Sequence, residues 1–165
     1  MAIRNLTDLK GILPRGGRLM GLDLGEKTLG LAVSDPGLTV ASPVDIIRRR
    51  KFTQDIQALA EACKGRTIAA FVLGLPMNMD GSAGPATDKV REFARQLGKQ
   101  AAVLGFEPEI AFWDERLSTS AVSRLMIDFD MTRKRRGEVV DKMAAAYILQ
   151  GALDFMARQP ASPPA

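Results

Sequence analysis

The feature that most constrains this chain is one acid at the end of an apolar strand. The stretch Arg18-Leu-Met-Gly-Leu-Asp-Leu-Gly-Glu-Lys-Thr-Leu-Gly-Leu-Ala-Val-Ser34 alternates as two strands joined by Gly25-Glu-Lys-Thr28. Met20, Leu22 and Leu24 share one face of the first strand; Leu19, Gly21 and Asp23 share the other. Leu29, Leu31 and Val33 continue the alternation after the turn, which predicts a hairpin. A buried carboxylate is costly unless a partner or a cation compensates it, so Asp23 demands an explanation.

Composition narrows the chemistry open to that acid. A chain of 165 residues suits one domain with a single good core. No apolar run reaches the length of a membrane span, and the N-terminus lacks the apolar centre of a signal peptide, so a cytoplasmic protein without membrane partners is expected. The chain has no histidine and one cysteine, Cys63. Catalysis by a Ser-His-Asp or Cys-His set, histidine zinc motifs, thiolate metal clusters and internal disulfides are therefore excluded. Carboxylates, lysines and hydroxyls remain, and carboxylate oxygens suit hard cations such as Mg2+ or Mn2+. Arg48-Arg-Arg-Lys51 and Arg133-Lys-Arg-Arg136 hold eight cations in a chain of net charge +4, which leaves the rest mildly acidic. Two basic loops on such a body fit an anionic partner such as nucleic acid, or simply two solvated loops.

Along the chain, residues 1–17 read as an extension with a flexible joint at Pro14-Arg-Gly-Gly17, and 158–165 as a disordered Pro-rich tail. Between them, 18–157 read as one domain. After the hairpin and the Asp35-Pro-Gly37 turn, Thr39 to Ile47 is a third strand. Ile56, Leu59, Ala60 and Cys63 mark a helix, and Thr67 to Leu73 is a continuous apolar run, as in a strand covered on both faces. The loop Gly74 to Gly84 leads into a helix opened by Pro85, whose apolar stripe runs to Leu104 with Gly105 as its stop. Pro108 to Trp113 is a strand, with Trp113 read as core. Helices follow from near Ser118 and from Glu138 to about Met156, separated by the second basic loop. The expected architecture is α/β: a mixed five-stranded sheet, three antiparallel strands then two parallel ones, flanked by helices.

In such a sheet functional groups gather at strand ends. Asp23, the pair Asp114-Glu115, and Asp141 in the first turn of the last helix qualify. Carboxylates meeting there repel unless a divalent ion lies between them, and such a cluster can activate water against a phosphodiester. Each acid also has a structural reading. Asp23 could pair with Lys27, Asp114 could cap a helix, Arg116 could neutralise Glu115, and Asp141 could answer a helix dipole. Small residues in Met143-Ala-Ala-Ala146 would let the last helix approach the sheet closely and bring Asp141 near Asp23. The stretch Gly21 to Thr28 misses the phosphate-binding P-loop by one residue and runs into a strand, so that reading fails. An actin-like ATPase would need a second comparable domain.

With these residues assembled, the chain resembles the YqgF-type pre-16S rRNA nucleases, also called Holliday-junction-resolvase-like proteins. The resemblance covers about 18–155 and rests on four blocks in order: Gly21 to Ala32, Gly74-Leu-Pro-Met-Asn-Met-Asp-Gly-Ser82, Trp113-Asp-Glu-Arg-Leu-Ser-Thr119 and Val140-Asp-Lys-Met-Ala-Ala-Ala146. It implies a ribonuclease H-like fold and a metal-dependent nuclease that trims the 5′ end of the 16S rRNA precursor, with Asp23, Glu115 and Asp141 as catalytic and metal-binding acids. Phosphate contacts would come from Lys27, Asn78, Arg116 and Arg133, Lys134, Arg135 and Arg136. With few aromatic residues, recognition by duplex or junction shape is expected over base stacking. The substrate would be structured RNA, free or within ribosomal precursor particles, or branched DNA, cut by a monomer or homodimer. A competing reading is a catalytically silent nucleic-acid-binding factor in ribosome maturation or transcription.

Overall fold

The computed structural model describes residues 2–117 and 133–159, and in 2 and 133–142 the backbone alone. The opening stretch forms β2 (Arg18–Leu24) and β3 (Thr28–Ser34), preceded by β1 (Ala2–Ile3) and helix α1 (Leu6–Ile12). The hairpin closes with Gly25 N–H donating to the Thr28 carbonyl at 2.8 Å, and Leu24 lies opposite Leu29. Then follow β4 (Ala41–Arg48), α2 (Phe52–Cys63), β5 (Ile68–Leu75), α3 (Pro85–Leu97), α4 (Ala101–Leu104), β6 (Glu109–Asp114), a 3-10 turn (Glu115–Leu117) and α5 (Arg133–Arg158). The sheet order is β1-β6-β5-β2-β3-β4. Each step of the β2-β3-β4 run is antiparallel, and β2, β5 and β6 run parallel. This is the ribonuclease H-like arrangement expected, with two-residue β1 added as a sixth strand beside β6.

Strand alternation sorts the core into two layers. Met20, Leu22, Phe71, Leu73 and Ile110 face α2, α3 and α4. Leu19, Ala70, Val72, Ala111 and Trp113 face α1 and α5. Trp113 is core, as the sequence suggested, 6.1 Å from the Phe155 ring. The residues before Arg18 contribute as well: Leu6 and Leu9 are buried, and Gly17 N–H closes a turn onto the Pro14 carbonyl.

Three expectations need correction. The stripe from Val90 to Leu104 is not one helix: α3 ends at Leu97, and α4 begins at Ala101. Gly98, the poorest helix former short of proline, lets the chain step off the helix while Leu97 and Leu104 both reach the core. The basic run Arg133 to Arg136 is the beginning of α5 and not a loop. Arginine and lysine are good helix formers, and the single Gly137 costs about 1 kcal/mol, too little to stop a long helix. Asp141 therefore lies more than two turns inside α5 and not in its first turn, so the end of the helix dipole does not explain it. The helix predicted from Ser118 and the tail from residue 160 lie outside the described residues.

Candidate active site

Three parallel strands end side by side and carry the site. In the β2–β5 ladder Leu22 stands opposite Leu73, so Asp23 ends level with Gly74. In the β5–β6 ladder Gly74 stands opposite Trp113 and Leu75 opposite Asp114. The chain then tightens into the 3-10 turn, whose first residue is Glu115.

Gly74 makes room for that acid. A Cβ there would fall 2.5 Å from Glu115 Oε1 and 2.5 Å from Ile148 Cδ1 of α5. The Glu115 side chain thus crosses the strand where β5 has no side chain and meets Asp23. Burial above all, then the Asp23 charge, a hydrogen bond with Asp23 and the charge of Asp114 push the Glu115 carboxyl from 4.5 up to about 7. Burial and the neighbouring charge thus favour the protonated form of Glu115, and a cation between the two carboxyls would relieve the same repulsion.

Helix α5 closes over the same face. A Cβ on Gly21 would fall 2.7 Å from Leu149 Cβ and 2.9 Å from the Ala145 carbonyl, so helix and strand backbones nearly touch. Ala145 and Ala146 are buried there, as the small-residue run predicted. Asp141 is one turn before Ala145 on this helix; its side chain, like those of Arg133 to Arg136, lies outside the described residues. Among the described residues no third acid joins Asp23 and Glu115.

Asp114 and Arg116 face another way. Arg116 Nε donates to both Asp114 oxygens at 3.0 and 2.9 Å, and Nη2 donates to Oδ2 at 2.5 Å. The guanidinium beside Asp114 holds that carboxyl below the usual aspartate range. Arg116 Nη1 donates to the Met79 carbonyl at 3.3 Å, in the loop after β5. That loop is bonded internally: Asn78 Nδ2 donates to Ser82 Oγ, which donates to Asp80 Oδ1. Lys27 stands exposed in the β2–β3 turn. Across that turn lies a groove of about 760 Å3, lined by Arg49, Lys89 and Glu26 among others. Arg49 Nη1 donates to the Gly25 carbonyl at 2.5 Å and holds the turn in place. Sequence reasoning missed the role of Gly74, whose signal is the lack of a side chain.

The mixed sheet defines the class by its fold, a ribonuclease H-like domain, with a carboxyl pair at its strand ends. Residues 17–155 match the family model described as "RuvX: Holliday junction resolvase". The chain is 70% identical over 163 residues to a protein of Rhodospirillum centenum named "Putative pre-16S rRNA nuclease", covering 99% of this chain and 87% of that one. A protein of the same name from Roseobacter denitrificans is 51% identical and covers 93% of each chain. Among solved structures, Thermus thermophilus RuvC in complex with a Holliday junction substrate aligns with a TM-score of 0.49 and 15% identity, over 85% of this chain and 96% of that one. The chain belongs to the RuvX family.

Proposed function

We propose that this nuclease hydrolyses phosphodiester bonds in the 5′ leader of the 16S rRNA precursor as a Mg2+- or Mn2+-dependent endonuclease of the cytoplasm. The observation that carries the reading is the Asp23–Glu115 carboxyl pair, formed across the gap that Gly74 leaves. Two carboxyls held this close mark a place where a divalent cation would relieve their repulsion, and hard oxygen donors fit Mg2+ and Mn2+. Asp23 and Glu115, with Asp141 from α5, would hold it. Bound there, such an ion supplies an activated water and stabilises the leaving oxygen.

The protein's own groups do the rest. Asp23 sits on a strand fixed by neighbours on both sides, so its carboxylate is held in place without reorganisation. Glu115, brought against Asp23 through the gap at Gly74, is the second carboxylate that would hold the ion. Lys27, the Asn78 loop and the basic start of α5 supply backbone phosphate contacts, which set register without reading sequence. Pre-16S RNA in ribosomal precursor particles, met by a monomer or homodimer, is the expected partner.

The test is Asp23→Asn assayed on a pre-16S 5′-leader RNA with Mn2+. Cleavage is expected to fall at least about 1000-fold, while RNA binding by fluorescence anisotropy persists. Unchanged cleavage would remove the acid pair from the reaction. The description attached to the family model favours a second reading, a resolvase acting on branched DNA. Side-by-side cleavage of a four-way DNA junction and the leader RNA separates the two.

A further inference from the structure

Arg116 sits next in the chain to Glu115 and was expected to contact phosphate. Its surroundings assign it other work. The Nε–Nη2 edge, the fork that would grip a phosphate, is filled by Asp114 in a bidentate pair, and the Arg116 backbone N–H also donates to Asp114 Oδ1 at 3.0 Å. The opposite corner of the guanidinium reaches the Met79 carbonyl. Gly81, with φ +87°, lies against the same group: a Cβ there would be 3.5 Å from Nη1. The loop is otherwise tied to itself and to α3, where Thr87 Oγ1 donates to the Pro76 carbonyl. Arg116 is its side-chain bond to the turn that carries Glu115.

We propose that Asp114, Arg116 and the Met79 carbonyl form a strap that fixes the loop 76–84 against the 3-10 turn and so sets the position of Glu115; Arg116 is a positioning residue and not a phosphate ligand. The proposal rests on the reading of Asp23 and Glu115 as the reacting centre. Asp114 is thereby a partner for Arg116, not a further cation ligand. A phosphate would have to displace Asp114 from the guanidinium fork to bind there. The side chains of both partners are about one-third exposed, so the pair's worth lies in its fixed geometry and not in its contribution to stability.

Asp114→Asn separates the strap from a phosphate contact, because the two move different quantities. If Arg116 serves phosphate, freeing it from Asp114 raises RNA affinity and leaves kcat near wild type. If it is a strap, Asp114→Asn and Arg116→Lys each lower kcat about tenfold or more on the leader RNA with KM near wild type. The salt slope of RNA binding stays the same, and the amides of Met79 to Ser82 exchange hydrogen faster. Arg116→Lys keeps the charge and loses the fork, so its failure to rescue counts for the strap; full activity in that variant overturns it. A salt slope shallower by about one in Arg116→Ala, with loop exchange unchanged, also overturns it. Hydrogen exchange needs no cleavage: if wild type cuts neither RNA nor junction, the functional reading fails while the exchange data still decide the strap.

Discussion

At the scale of the residue, Glu115 is the group whose state the protein has set. Its carboxyl titrates at about 7 in the fold against 4.5 in an open chain, so the folded state disfavours the charge. Stability from this group is therefore greatest below pH 4.5 and is lost as pH rises from there through 7. A tenfold change in proton affinity is worth about 1.36 kcal/mol. Allowing for the part of the group that water reaches, about 1 kcal/mol is lost between roughly pH 5.5 and 8. Metal-free protein should melt a few degrees lower near pH 8 than near pH 5.5, and Glu115→Gln should flatten that difference. Adding Mn2+ in the more alkaline buffer should restore the melting temperature of wild type and not of the Gln variant; calorimetry in the two buffers checks both. Asp23 could be singled out from sequence because a carboxylate in an apolar strand breaks a pattern. Glu115 needed the resemblance, since nothing in Trp113-Asp-Glu-Arg116 says which acid turns inward. The register and the empty position at Gly74 make that choice, and neither can be read along one strand.

At the scale of the element, periodicity is a good guide where burial decides and a poor one where backbone preference decides. The hairpin, α2, and strands β5 and β6 follow their apolar patterns because each buries a face or both. The start of α5 escapes such a reading because Arg133 to Arg136 has charge without an apolar stripe, and charge patterns do not mark helix boundaries. The approach of α5 to β2 is close enough to touch backbone, and Gly21 permits it. Gly21→Ala would drive a methyl into Leu149 and the Ala145 carbonyl and should cost about 1–3 kcal/mol. The separation it forces would also move α5 away from Asp23. Cleavage should therefore fall more than the loss of folded protein explains, which activity per folded molecule in a urea series would show.

At the scale of the whole molecule, the residues before Arg18 and the strand ends occupy opposite limits of β6. Arg4 N–H donates to the Ile110 carbonyl and its Nε pairs with Glu109 at 2.9 Å, at the beginning of the strand, while Glu115 follows its end. Removal of residues 1–13 strips Leu6 and Leu9 from the α5 side of the core, and at about 1.5–3 kcal/mol for each buried leucine should lower the melting temperature by several degrees. The kcat of the molecules that remain folded should stay as in the full chain; a matching loss of kcat would mean that the N-terminal segment reaches the site. The sequence suggested an extension there because Pro14 to Gly17 interrupts the pattern, yet Leu6, Leu9 and Leu13 stand at helical spacing and pack on the core. The strand-end site has one more consequence, which concerns the order of synthesis. Asp23 and Gly74 lie on β2 and β5 and Glu115 follows β6, in that order along the chain, and the order β6-β5-β2 seats β5 between the two acids. A nascent chain that has not yet delivered β6 has Asp23 but not Glu115 beside it. The acid pair is thus a late product of synthesis: it forms only after Glu115 has been translated and the sheet has closed around β5.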